Sequence, residues 1–232
     1  MTSVNRRARA ANLRMFGDGD RVRDYSADPY HQVRRELAAR MLADLAPPSG
    51  GPVLEIGADP HGERPAVVAD LAYDALVADR RPGRPAVCLD AEEPLPFADE
   101  AFAAILLGEV IEHLFDPLAL LRECRRVLRP AGVLVLTTPN LAGLQDRLRF
   151  LLGRAPRQVD PLHPYLWLHI RPFTLSLLRR TLTAAGLDPV AAESNFVGWR
   201  TASGRWYESR MLARRLPGLG GSLIVAARRP TA

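Results

Sequence analysis

The sequence predicts a doubly wound α/β domain, a mostly parallel sheet covered by helices on both faces. Near-continuous apolar runs at 52–56, 86–89, 103–107 and 132–137 have the composition of strands buried on both sides. An amphipathic segment at 117–129 lies between the last two, as a crossover helix must. The run Val53-Leu-Glu-Ile-Gly57 ends a strand in a carboxylate and a glycine turn, the place where such sheets receive a ligand. With 232 residues, 47% of them apolar, the chain can bury one core without a partner.

Residues 1–28 are polar, Arg-rich and aperiodic and read as a partly ordered arm over the site. Helical spacing through Val33, Leu37, Met41 and Leu45 predicts a helix over 30–45, stopped by the breakers Pro47-Pro-Ser-Gly-Gly51. The first strand is 52–56. Pro65 then suits the first turn of a short helix over 65–72, which makes 73–79 the second strand. The rival parse puts the strand at 66–70, but it leaves too few residues for a helical crossover. Residues 80–85 form a bare loop before the strand at 86–89. In the 117–129 helix, Leu118, Leu120, Leu121, Cys124, Val127 and Leu128 make the buried face. An amphipathic helix follows at 141–152, then an aromatic and histidine-bearing loop at 156–172, and a helix at 174–185 stopped by Gly186. Late strands at 188–195 and 222–227 close the sheet as an antiparallel hairpin with a long insertion. In domain terms, 1–48 is arm and helix, and 49–232 is the main domain with insertions at 141–173 and 197–220.

The formal charge is +5, yet all 31 basic residues are Arg. Together with abundant Ala and Pro, this reads as the codon usage of a GC-rich bacterial genome. The surplus lacks the clustering with aromatics that marks a nucleic-acid partner. Cys88 and Cys124 fall in a strand and a helix and are expected in the core. No metal ligands are assigned. No apolar leader core follows the basic start and no run of about 18 apolar residues exists, so neither a membrane span nor export is expected, and the expected compartment is the cytoplasm.

Four segments in order, Val53-Leu-Glu-Ile-Gly-Ala-Asp-Pro-His-Gly62, Cys88-Leu-Asp-Ala-Glu-Glu-Pro-Leu-Pro-Phe97, Phe102-Ala-Ala-Ile-Leu-Leu-Gly-Glu-Val-Ile-Glu-His113 and Arg126-Val-Leu-Arg-Pro-Ala-Gly132, carry a family likeness. The chain resembles the class I S-adenosylmethionine-dependent methyltransferases of the small-molecule branch, best over residues 50–186. The resemblance implies a seven-stranded Rossmann-like fold, S-adenosylmethionine as cofactor and methyl transfer to a small molecule, an oxygen of a natural product or sugar. It implies that Glu55, Gly57 and Ala58 receive the cofactor's amino acid moiety, that Asp79, with Asp70 as the fallback, takes the ribose hydroxyls, and that Asp90 and Ala91 meet adenine. Leu107 and Gly108 would stand beside the sulfonium with His113 close by, while Glu92 and Glu93 face solvent. The 163–173 loop resembles the family's acceptor mouth and brings His163, Tyr165, Trp167, His169 and Arg171, with His169 the first choice of general base and His113 the second. Trp199, Arg200, Arg205, Trp206 and Tyr207 line the acceptor pocket or simply pack.

Ala58-Asp59-Pro60-His61 stands where the family is glycine-rich. A protein that has lost the cofactor and serves as a binding partner is therefore the alternative reading. A nicotinamide-dependent oxidoreductase is disfavoured because Gly-x-Gly-x-x-Gly is absent. Nucleic-acid methylation is disfavoured because Gly108-Glu-Val-Ile replaces the expected Pro-Pro-aromatic run.

Overall fold

The computed structural model describes residues 29–47, 50–57, 67–70, 86–163, 166–201 and 203–231. The strands are β1 (Val53–Ile56), β2 (Val67–Asp70), β3 (Ala86–Cys88), β4 (Phe102–Gly108), β5 (Leu128–Pro139), β6 (Asp188–Ser194), β7 (Val197–Arg200), β8 (Trp206–Ser209) and β9 (Ser222–Arg228). The helices are α1 (Pro29–Leu45), α2 (Pro117–Val127), α3 (Leu144–Leu151), α4 (Leu175–Ala184) and α5 (Arg210–Arg215). One mixed sheet runs β3-β2-β1-β4-β5-β9-β6, and β7 with β8 forms a separate two-stranded ribbon. The strands from β3 to β5 pair in parallel, while β9 lies antiparallel between β5 and β6.

Both faces of the sheet are covered. On one, Ala38, Met41 and Leu42 of α1 pack against Ala104, Val133, Val135, Ile224 and Ala226. On the other, α2 and α4 place Leu120, Leu121, Cys124, Leu178 and Leu182 against Leu54, Ile105, Leu107, Leu134 and Leu136. Asp116 caps α2 by accepting from the Ala119 N–H, with Pro117 at the first helical position. Thr174 caps α4 in the same way through the Leu177 N–H.

Several expectations are corrected. The second strand is Val67–Asp70, the rival parse, hydrogen-bonded beside β1. Ten residues, 57 to 66, connect β1 to β2, fewer than the dozen or more expected of a helical crossover. Residues 73–79, with Asp79, lie outside the described residues. The stripe of α1 is rotated: Arg34, Ala38, Met41 and Leu42 are buried while Val33 and Leu37 are only partly so. Helix α2 stops at Val127, and Leu128 is buried as the first residue of β5. Helix α3 is shorter than expected, and Leu148, Phe150 and Leu151 are exposed while Asp146 is buried and paired with Arg157. As expected, β6 and β9 pair antiparallel around a long insertion, which holds the β7–β8 ribbon and α5. Among the described residues no helix is long and apolar enough to cross a membrane.

Candidate functional site

The chain leaves β1 for β2 on one side and meets β4 on the other, so the sheet's order reverses at the C-terminal ends of β1 and β4. Ligands of open α/β sheets bind in the crevice at such a point. Gly57 stands there with φ +75°, a left-handed conformation. A Cβ on it would fall 2.2 Å from the Gly108 carbonyl oxygen and 2.5 Å from Val110 Cγ2. The two strand ends therefore touch backbone to backbone, and a side chain at Gly57 would force them apart. Glu55 is buried in β1, level with Leu106. Asp70, at the end of β2, lies level with Gly57, one step beyond the Ile56–Ala69 pair. Ala58 and Asp79 lie outside the described residues.

Beyond β3, Asp90 Oδ1 accepts from the Glu92 N–H at 3.0 Å and its carbonyl accepts from the Glu93 N–H at 3.0 Å, which closes a turn around buried Ala91. Glu93 is exposed as expected. Glu92 is half-buried, and its carboxylate accepts from the N–H groups of Phe115 and Asp116, pinning the segment ahead of α2. The loop that follows is latched to α2. Arg126 donates to the carbonyls of Leu95 and Phe97 and to Asp99, and Glu123 accepts from both Arg126 and the Leu95 N–H.

At the end of β4, Leu107 has its side chain fully buried in the core, so only its backbone faces the crevice end. Glu109 adopts φ +52°, costly for a residue with a Cβ, while its N–H donates to Thr137 O at 3.1 Å. Arg34 of α1 donates to Glu109 Oε2 at 2.7 Å, and both side chains are largely buried. Burial raises the Glu109 carboxyl despite that partner. Tyr30, one turn before Arg34, meets Ser222 Oγ at 2.8 Å and packs edge-on against His31 and Phe196. Burial and the neighbouring guanidinium of Arg34 hold His31 down to about 3.

A 3-10 turn, Ile111–His113, follows. Glu112 is buried; Thr138 Oγ1 donates to its Oε2 at 3.0 Å, and the Arg171 N–H donates to its carbonyl at 3.0 Å. Burial first, and Glu109 second, push the Glu112 carboxyl well above the usual range. His113 Nδ1 lies 3.2 Å from Leu168 O, and its ring meets that of His169 with centroids 5.0 Å apart. Burial lowers His113 to about 4 and His169 to about 3, so both imidazoles are neutral at pH 7. Glu112, His113 and His169 offer three potential metal-ligand atoms, all within 4.8 Å of one another.

The structure thus joins His113 and His169, which α2, β5 and α3 separate along the chain, and adds Glu109, Glu112, Tyr30 and Arg34, which local sequence patterns do not single out. Tyr30, Arg34 and Ala38 recur at helical spacing, a stripe legible once a polar residue is allowed on a buried face. His163 and Arg171 act elsewhere: His163 Nδ1 meets the Leu166 N–H at 3.4 Å, and Arg171 donates to Phe115 O and lies over the Phe115 ring. Tyr165 and the side chain of Trp167 lie outside the described residues. Trp199 and Tyr207 stack as cross-strand partners on the β7–β8 ribbon, Arg205 lies over Tyr207, and Arg200 donates to Gly204 O in the turn between those strands. Trp206 packs edge-on against Phe196.

A family model described as a methyltransferase domain matches residues 30–192. A protein of Mycolicibacterium smegmatis named a probable S-adenosylmethionine-dependent methyltransferase is 35% identical over 67% of this chain, which spans only 58% of that relative's length. A ubiquinone biosynthesis O-methyltransferase of Cereibacter sphaeroides is 33% identical over 72% of this chain and 74% of its own. Among solved structures, the Burkholderia thailandensis 1,6-didemethyltoxoflavin-N1-methyltransferase, with its substrate and S-adenosylhomocysteine bound, superposes with TM-score 0.59 at 19% identity, covering 96% of this chain and 87% of its own, a likeness of fold. With the strand order, the apposed Gly57 and Gly108 and the matched segments in place, the chain belongs to the class I S-adenosylmethionine-dependent methyltransferase family.

Proposed function

We propose that this protein transfers a methyl group from S-adenosylmethionine to an oxygen of a small natural-product or sugar-like acceptor. The observation that carries the reading is the contact of Gly57 with Gly108 at the reversal point of the sheet, followed along the chain by buried Glu112 and His113, which with half-buried His169 form a cluster of one carboxylate and two neutral imidazoles. The ubiquinone biosynthesis O-methyltransferase relative and the 1,6-didemethyltoxoflavin-N1-methyltransferase neighbour support a small acceptor.

In this reading, Glu55, Gly57 and Ala58 hold the amino acid moiety, and Asp90 with the Ala91 N–H holds adenine. The ribose hydroxyls go to Asp70, because it ends the strand beside β1; Asp79 is the second candidate. The backbone of Leu107 and Gly108 borders the sulfonium. Methyl transfer is an in-line displacement, so holding donor and acceptor in line supplies much of the rate. A hydroxyl acceptor must also lose its proton, and His169 with His113 is where that proton leaves.

Calorimetry with S-adenosylhomocysteine tests the assignment. Asp70→Ala and Asp90→Ala each remove hydrogen bonds to a charged group, about 1.5–3 kcal/mol, so each weakens binding by at least about tenfold. A loss of affinity in Asp79→Ala with none in Asp70→Ala moves the ribose contact to Asp79. Unaltered affinity in both Asp70→Ala and Asp90→Ala rejects the site. No heat in the unmodified protein favours the non-catalytic binding partner instead.

A further inference from the structure

We propose that Glu112, His113 and His169 form a binding site for one first-row divalent cation of the zinc class, with a coordination position left for an oxygen ligand. Three protein ligands of the types His, His and Glu are the set that open, catalytic zinc sites use, and imidazole favours zinc, cobalt or iron over magnesium.

Each group is prepared for the task. The Nδ1 edge of His113 is committed to the Leu168 carbonyl at 3.2 Å, which places the proton on Nδ1 and the lone pair on Nε2. That Nε2 lies 3.9 Å from Glu112 Oε1. Ligands sharing a tetrahedral ion sit roughly 3.3 Å apart, as bonds of about 2.0–2.1 Å require, so small side-chain rotations close the set. Glu112 is 1% exposed, and its two oxygens are unlike: Oε2 accepts from Thr138, while Oε1 has no hydrogen-bond partner among the described residues and faces His113 Nε2. A buried acceptor without a donor is costly, and a cation at this point removes the cost. No guanidinium competes for it among the described residues, because Arg34 is held by Glu109. Thr138 and Leu168 are then the outer partners that orient one ligand each.

The role of the ion rests on the methyl-transfer reading; the site does not. A hydroxyl bound to the ion gives its proton to water. Its oxygen then forms the new O–C bond while the C–S bond of the sulfonium breaks and its electron pair returns to sulfur as the neutral thioether. With the ion bound, His169 is a ligand that promotes the proton's departure to water, and it replaces the role of base that the two imidazoles have in the metal-free protein.

The test uses the full chain, stripped with chelator and titrated with Co2+ alone, read by its visible d–d absorption and by calorimetry. Expected is one ion per chain, displaced by Zn2+, with affinity reduced at least tenfold in His169→Gln and in Glu112→Gln. Each variant is checked by its thermal transition and its S-adenosylhomocysteine affinity. Absence of saturable binding in the folded protein, or binding that persists unchanged in both folded variants, overturns the site and leaves a protonated Glu112 as the arrangement that satisfies Oε1. Because the cobalt signal needs no cofactor, failure of the metal site and failure of the methyl-transfer reading give separate results.

Discussion

Gly57 carries two requirements that no other residue meets together. Its φ of +75° excludes side chains at ordinary cost, and its missing Cβ is where the Gly108 carbonyl sits. Gly57→Ala therefore costs more than about 2 kcal/mol, from a left-handed backbone plus overpacking against a neighbouring strand. A lowered denaturant midpoint together with loss of S-adenosylhomocysteine binding checks this; a variant as stable as the parent contradicts it. Glu109 makes the opposite bargain, keeping its side chain at φ +52° because the carboxylate has a buried guanidinium to meet. Glycine would relieve the backbone there and lose the ion pair.

At the scale of elements, α2 does more than cover the sheet. Its Glu123 and Arg126, joined to each other by two hydrogen bonds, hold the 95–99 loop, and so the turn around Asp90 that precedes it, through four more. The Arg126 guanidinium, first among the causes, holds the Glu123 carboxyl below its ordinary value of 4.5. A carboxyl lowered by folding contributes stability that is complete above its unfolded value and is lost as pH falls through its folded value. Glu123→Gln is therefore less stable than the parent by about 1 kcal/mol at neutral pH, the range of a partly exposed pair. The difference shrinks as the pH drops below 4.5. Thermal melts of both proteins across that interval decide it; a gap that widens in acid rules the latch out.

For the whole molecule, the decisive contact is between layers. Helix α1 lies on the face of the sheet opposite α2 and α4, and only Arg34 and its neighbours carry it to the end of β4. Removing one partner of a buried pair costs about 3–5 kcal/mol, because the other charge stays buried. Arg34→Leu is expected to unfold at markedly lower denaturant, and Arg34→Leu with Glu109→Gln recovers much of the loss by removing the stranded charge. If the double variant is no more stable than the single one, the ion pair does not join these layers.

The sequence by itself determined the layered α/β plan, β1, the helices α2 and α4, the paired β6 and β9 and the importance of Gly57, because each is written in local periodicity, in breakers or in a turn that demands glycine. It misplaced β2, since a short apolar stretch of Val and Ala reads equally as helix or strand, and only the hydrogen bonds to β1 decide. It also misjudged Glu92, which is tied to backbone N–H groups far along the chain, and the stripe of α1, where Arg34 is buried against Glu109. The cluster of Glu112, His113 and His169 belongs wholly to tertiary structure. His113 and His169 meet because the Leu166–Leu168 turn folds back onto the end of β4, and distance in space, unlike spacing in sequence, is set by the packing of the entire sheet.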